Sequence, residues 1–460
     1  MASIAFALDR IKTNPLFAIT PTAIEQLCRE HEHEWRERDL DPATTVALFL
    51  QQIVHGNVSC AETRRLVGVR ATPQAYCTAR GRLPLEVLRD LLRLTVDSAV
   101  PATQSHEHLW HGHRTFHIDG STVSMPDTPE LRKTFGSPSG QKEGCGFPVA
   151  HLLVLFSAST GLLLNAWMSP LRTGDVLQTA EAHLELRPGD ILIGDDIFGG
   201  YPHLAACVQK GLHGLFPSHH LRIVDFTKGR PHTCDGKKSV AGLPRSRWIK
   251  SLGKEDQLVE LFKPKQRPRY ISEEDYAALP DSIIVREVRR TVQRPGLGKM
   301  TITITTTLTD PLLYRADELI ELRLRRWDVE TRIEYLKITM NMDVLRCKSE
   351  QGVRKELSVF CLVYNLVCCV MLQAARRQEV DPRRISFADA LYWMRYARAG
   401  ELLPELKVNP LRPDRAEPRC KKRRSKQYDL MNKPRAELRA KLLEESLTKR
   451  PRKPRKKRLS

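Results

Sequence analysis

Through the first 110 residues the apolar positions recur with helical spacing. "TPTAIEQLCREHEHEWRER" and "DPATTVALFLQQIVHG" each open on a capping-type residue and continue periodically, so each predicts a helix. "SCAETRRLVGV" followed by "TPQAYCTARGRLPLEVLRDLLRL" predicts a short helix, a turn and a longer helix. That order fits a helix-turn-helix reader of DNA and an ordinary helical bundle equally. Near residue 114 the pattern changes. "RTFHIDGSTVSM" predicts a strand ending in Asp119 and Gly120, and "HLLVLFSAS" and "GLLLNAWMS" predict a hairpin joined by a Thr-Gly turn. "GDVLQTAEAHLEL" predicts a helix, "GDILIGDDIFGGY" a buried strand running into Asp195 and Asp196, "YPHLAACVQKGL" a helix and "HGLFPSH" a short strand. Three strands, helix, strand, helix, strand is the order of a mixed sheet of the ribonuclease H type, with acids at strands one and four.

Between about 221 and 306 the chain turns to basic loops and β-rich segments, "DQLVELFKP", "SIIVREVRR" and "KMTITITTTL". This predicts a β insertion placed before the helix that carries Glu330. Residues 354–400 add further helix. One uncharged run, Ser358 to Ala375, is long enough to span a membrane. It contains Asn365 and is flanked by charge, so it reads as a buried core helix.

Charge narrows the choice of partner. The formal net charge is +20 over 460 residues. From Arg412 to Ser460 there are 20 Lys and Arg against 6 Asp and Glu, so this stretch holds +14 of the +20. Its last part, "KRPRKPRKKR", reads as disordered when alone. A tail this basic points to a polyanion, usually nucleic acid. It lacks an apolar face for insertion into an anionic membrane. The eleven cysteines show no CxxC pair, which fits free thiols in a reducing cytoplasm. The start, "MASIAFALDRIK", is too short in its apolar part for a signal peptide. "CREHEHEW", with Cys28, His31 and His33, and "SHEHLWHGH" lack the paired spacing of a structural zinc site. They read as local helix-surface histidines. "EGCGFP" lacks the lysine and context of a phosphate loop.

The candidate chemistry lies in "RRWDVETRIEYLK". At about 100° per residue, Arg326, Glu330 and Lys337 fall within roughly 40° of one another, beside an apolar stripe of Leu322, Val329, Ile333, Leu336 and Met340. Taken alone, this spacing fits a surface salt-bridge ladder. Two further acids, Asp119 and Asp195, stand at strand ends, where an Asp-Gly turn and a capping acid are the ordinary readings. All three in this order suggest a site for phosphodiester chemistry, which uses two divalent ions roughly 4 Å apart. Mg²⁺ favours a few carboxylate oxygens of this kind.

"HIDGSTVSMPDTPE", "SGQKEGCGFPVAHLL", "GDILIGDDIFGGY" and "RRWDVETRIEYLKITMNMDVLRCKSEQGVRKEL" resemble the catalytic blocks of bacterial insertion-sequence DDE transposases, in the branch of the fourth insertion-sequence family. The resemblance covers roughly residues 45 to 435. The branch signature is tyrosine, two residues, arginine, three residues, glutamate, six residues, lysine. Arg326, Glu330 and Lys337 fit it; Arg323 stands at the tyrosine position, and Asp196 stands where relatives often carry arginine. The resemblance implies that Asp119, Asp195 and Glu330 hold two Mg²⁺ (or Mn²⁺) ions, and that Arg323, Arg326 and Lys337 contact DNA phosphates. By location alone, Trp248 in "PRSRWIKS" would stack on a flipped base. Trp327 is expected to pack its helix against the sheet.

The expected fold is α/β, a ribonuclease H-like mixed sheet with a β-rich insertion, a helical N-terminal domain and a basic C-terminal tail. The expected divisions are a helical DNA-binding domain over 1–110, catalytic core over 111–220, the insertion over 221–306, core with the Glu330 helix and a helical extension over 307–400, and a partly disordered basic tail over 401–460. The expected function is cut-and-paste transposition: metal-dependent cleavage at terminal inverted repeats and strand transfer into target DNA. The partners would be double-stranded DNA and a second copy of the chain, with no membrane, in a bacterial cytoplasm at the nucleoid. Two rivals are a transposase-derived DNA-binding protein without catalysis and a nuclease without strand transfer.

Overall fold

The computed structural model describes residues 19–448 apart from 37, 104–108, 139–143, 174–177, 220, 234–241, 295–297, 398–400 and 411–432. The segment "KRPRKPRKKR" and most of the basic tail lie outside them. Arg435–Thr448, within that tail, is helical.

Local chemistry explains the N-terminal helices. Thr20 accepts from Ala23 N–H at 3.1 Å and starts Pro21–Glu30; Asp41 accepts from Thr44 N–H at 2.6 Å and starts Pro42–Val54. Proline at the first turn costs nothing, because its missing N–H has no helical partner there. The first helix is shorter than its periodicity suggests. Glu32 takes a left-handed φ of 53°, and His33 N–H bonds back to the Cys28 carbonyl, closing the helix at Glu30. Ser59 caps Cys60–Val67, which ends on left-handed Gly68, and Thr72 caps Pro73–Arg82. Pro84 disfavours helix at the residue before it, so the expected longer helix divides and resumes as Leu85–Thr103.

Among the described residues, nine strands form one mixed sheet. They are β1 Thr115–Ser124, β2 Val149–Ser157, β3 Leu163–Pro170, β4 Ile191–Ile193, β5 His213–Pro217, β6 Ser246–Gly253, β7 Asp256–Phe262, β8 Ser282–Arg294 and β9 Gly298–Thr306. Their order is β3-β2-β1-β4-β5-β9-β8-β7-β6. The β1–β4 and β4–β5 pairs are parallel, and the others are antiparallel. The architecture is therefore mixed α/β, a central mixed sheet with flanking helices. The β-rich segment is continuous with the rest, because β9 returns to pair with β5 through Leu215 and Thr306. β1 also runs past Asp119. Its antiparallel partner β2 stays paired as far as Ser124↔Val149, whereas its parallel partner β4 is last paired at His117↔Ile193.

The alternation along β2 divides the core. Leu152, Val154 and Phe156 join the helices on one face; Leu153 and Leu155 join Phe198 and Leu204 on the other. The first face is organised by the helix Glu350–Arg377, which shares its core with Phe49, Leu88 and Phe387. This helix is long and apolar enough to cross a membrane, and 89% of its apolar window is buried inside the protein. Asn365, at its middle, explains the polar break in that run. Its amide donates to the Leu163 carbonyl at 2.8 Å and to Thr95 Oγ1 at 3.0 Å, and accepts from Leu163 N–H at 2.8 Å. It thus fastens edge strand β3 to the helix. Asn365→Leu should leave these buried groups unpaired and cost about 3 kcal/mol, read as a lower urea midpoint with an unchanged slope.

Candidate active site

β1 and β4 run side by side in parallel, with His117 opposite Ile193. Asp119 and Asp195 each lie two residues beyond that last pair. The pleat brings a side chain back to the same face every second residue, so the register leaves the two acids at one level just past the end of the pairing, and Arg323 lies in the field of both. Gly194 makes the approach to Asp195 possible: a Cβ there would stand 2.6 Å from the Phe198 ring and 3.0 Å from Ile118. Asp195 then caps the turn Asp196–Gly199 by accepting from Ile197 N–H at 3.1 Å. Asp119 accepts from Gly120 N–H at 2.9 Å.

The third acid comes from a broken helix. Ala316–Leu324 ends in a tight turn at Arg325 and Arg326, and Trp327–Glu334 continues into a wider π-helical turn, Tyr335–Thr339. The single regular helix expected over this stretch is therefore interrupted twice. Arg326 keeps its four-residue relation to Glu330 all the same. Its Nη1 lies 3.2 Å from Asp119 Oδ2 and its Nη2 lies 3.0 Å from Glu330 Oε1. One guanidinium thus joins an acid of β1 to the acid of the facing helix. Glu330 is the open member, with 60% of its side chain exposed; Asp119 has 15%.

Arg323 is the second cation here. Burial, then Arg326, draws its pKa down to about 10, while Asp195, Asp119 and Asp196 pull the other way. Arg323 therefore sits in the field of all three aspartates, and its Nε is buried without a protein partner. Lys337, on the π turn, is 3.1 Å from Asp343 Oδ1 and 3.5 Å from Ser121 Oγ, two residues beyond Asp119. Against four acids near this point, Arg323 and Arg326 supply two charges. Trp248 is elsewhere. It lies on edge strand β6, six strand steps from β1. The side chain of Trp327 lies outside the described residues.

Two features escaped the sequence reading. His117, on the face of β1 that carries Asp119, is fully buried, and neither ring nitrogen has a protein partner. Burial, then Arg332, Arg326, Arg323 and Arg325, holds it neutral, well below its usual pKa. The other is a buried group of His183, His203 and Cys207, whose ligand atoms lie within 4.8 Å of one another. A divalent cation could be coordinated there. The available signal was His203 and Cys207 four apart on one predicted helix. Among the described residues, His31 and His113 of the two histidine-rich stretches are not local helix-surface groups but bond partners far along the chain, and His113 lies in a turn closed by a bridge to Trp110. His31 pairs with Asp90 at 2.6 Å, and His113 bonds the Gly189 carbonyl and the Tyr314 hydroxyl.

Residues 110–366, more than half of the chain, match the profile of the family described as Transposase DDE domain. The chain belongs to that family. Its similarity to Transposase InsG for insertion sequence element IS4 of Escherichia coli (strain K12) is 26% identity over 377 residues, covering 77% of this chain and 78% of that protein. Putative transposase InsZ of the same organism is 32% identical over 112 residues, 24% of this chain and 38% of that one. Among solved structures, the piggyBac transposase synaptic complex with hairpin DNA aligns with a TM-score of 0.41 at 9% identity, over 82% of this chain and 77% of that one. The match to the transposase DDE domain spans all nine strands and the helices that carry Arg323, Arg326, Glu330 and Lys337.

Proposed function

We propose that this chain is a cut-and-paste DNA transposase that cleaves at the terminal inverted repeats of its own element and joins the freed ends to target DNA. The observation that carries the reading is the shared guanidinium: Arg326 joins Asp119 to Glu330, and the β1–β4 register leaves Asp195 level with Asp119. Asp119, Asp195 and Glu330 offer hard oxygen donors, a set that suits Mg²⁺ or Mn²⁺. Two such ions held there would activate the attacking oxygen and stabilise the leaving oxygen.

The chain's own residues do the positioning. Arg326 is counter-ion to Asp119 and Glu330, and its contacts with them use two of five N–H donors, leaving others for a phosphate. Lys337 adds a point charge along the same face, and Arg323 a third cation deeper in. The sheet is read as ribonuclease H-like, extended by the β-rich segment. The active assembly is a homodimer on two element ends, since both must be cut in concert.

End recognition is assigned to the N-terminal helices. Pro73–Arg82 exposes Gln74, Thr78 and Arg82 at four-residue intervals. They line a cleft of about 1100 Å³ together with Arg36 and Arg38. Arg82→Ala is expected to weaken end binding by about tenfold. A fall confined to the cognate end would mark base reading; an equal fall on all DNA, with a shallower salt dependence, would mark a phosphate contact.

The deciding experiment incubates labelled fragments of the gene's flanking ends with the wild type and with Asp119→Ala in Mg²⁺. Cuts at the element boundary by the wild type alone support the proposal. Binding without cuts in any divalent ion would leave a transposase-derived DNA-binding protein.

A further inference from the structure

The group of His183, His203 and Cys207 lies outside the carboxylate cluster and has no part in the proposed reaction. It is assembled from two places. His183 comes from the short turn His183–Glu185, while His203 and Cys207 project from one face of the helix Tyr201–Gln209, four residues apart. All three are buried, with 4%, 2% and 0% of their surface exposed. The two rings stack with centroids 5.0 Å apart and bring their Nε2 atoms to 3.0 Å. Cys207 Sγ lies 3.8 Å from His183 Nε2.

These spacings match a coordination shell. With nitrogen about 2.0 Å and sulfur about 2.3 Å from a tetrahedral Zn²⁺, neighbouring ligand atoms stand about 3.3 Å (N to N) and about 3.5 Å (N to S) apart. The 3.0 Å and 3.8 Å spacings at His183 need adjustments of a few tenths of an ångström, and the third, between His203 and Cys207, lies within 4.8 Å. The tautomer of His203 is set for the purpose. Its Nδ1 is 2.8 Å from the Phe198 carbonyl, which requires the proton there and leaves the Nε2 lone pair facing the group. Burial also favours the neutral, ligating form of both imidazoles. It pushes His203 down to about 4 and His183 down to about 2. The same burial raises the Cys207 thiol to about 12, so that an adjacent cation is what would release its proton.

We propose that His183, His203 and Cys207 form a structural site for a d¹⁰ cation of borderline or soft character, with Zn²⁺ as its natural occupant. Nitrogen and sulfur donors suit such an ion, whereas the carboxylates at β1 and β4 suit a hard one. The chain would then carry two metal sites of opposite chemical character. The consequence for the fold is local. His203 bonds Phe198, Phe198 packs against Gly194, and Asp195 caps the turn that contains Phe198. A cation here would lock the helix Tyr201–Gln209 to the turn at His183, behind Asp195.

The test is the metal content of the full-length protein purified without chelator, with Zn²⁺ affinity measured by competition against a chromophoric chelator. About one equivalent of Zn²⁺ per chain is expected. Cys207→Ser should weaken Zn²⁺ binding about a hundredfold or more, and Asp119→Ala should retain it in full. In the wild type, Co²⁺ should give a sulfur-to-metal charge-transfer band, a readout that does not depend on any variant folding. The proposal fails if folded wild type takes up no Zn²⁺, if Co²⁺ gives no such band, or if Zn²⁺ is lost in Asp119→Ala while Cys207→Ser keeps it.

Discussion

Glu330→Gln should reduce cleavage at the element's ends on the order of 10³-fold and leave end binding within about twofold of the wild type. The substitution keeps shape and removes one charge. Glu330 is mostly exposed, and its largely buried partner Arg326 keeps Asp119 as counter-ion, so folding should stay intact. What it removes is an anionic oxygen from the group that Arg326 joins to Asp119. Gel shifts on labelled end fragments would report binding, and denaturing gels of the same reactions would report cleavage. Substantial cleavage by Glu330→Gln would remove this residue from the proposed metal-binding set. Loss of binding together with cleavage would instead assign Glu330 to the DNA surface.

The largest effect on stability is expected at a different ion pair. Arg286 on β8 is 1% exposed and grips Asp256 of β7 with two bonds, Nε to Oδ1 at 2.8 Å and Nη2 to Oδ2 at 2.6 Å. Its remaining arm donates to the Tyr314 carbonyl at 2.6 Å, just ahead of the helix Ala316–Leu324. Arg286→Met would strand the Asp256 carboxylate without a partner. Removing one member of such a pair costs about 3–5 kcal/mol. Much of that should return in the double variant Arg286→Met with Asp256→Leu, since two apolar residues leave no buried charge. Urea unfolding of the two single variants and the double one would measure it. A single variant as stable as the wild type would mean that water reaches Asp256.

Local signals in the chain were legible wherever the physics is local. Caps at Thr20 and Asp41 start the helices they predict, and the apolar runs of β2, β3 and β4 appear as strands. Asn365 inside an uncharged run reads correctly as a residue of a buried core helix. What escaped depends on distant partners or on departures from regular geometry. Nothing near β9 announces that it pairs with β5, some ninety residues earlier, so the β-rich segment read as a separate unit. The stripe of Arg326, Glu330 and Lys337 assumed a uniform 100° step, which the tight turn at Arg325 and the π turn at Tyr335–Thr339 both alter. Arg326 still meets Glu330 because, although it closes the tight turn, its own φ and ψ are helical and Trp327–Glu334 follows it as α-helix. The thiol–imidazole group was hidden because His183 is twenty residues from His203.

The helix Glu350–Arg377 has a temporal consequence. Phe49 and Leu88 belong to the core it completes, and Asn57 donates to its Glu356 across 299 positions of sequence. The helices Pro42–Val54 and Leu85–Thr103, made before it, therefore have no finished core to join until this late helix follows. At about 5–20 residues per second, roughly 300 intervening residues take on the order of 15–60 s to synthesise. Through that interval those two helices must wait, exposed to chaperones and proteases, and a product truncated before Glu350 would leave them waiting for good.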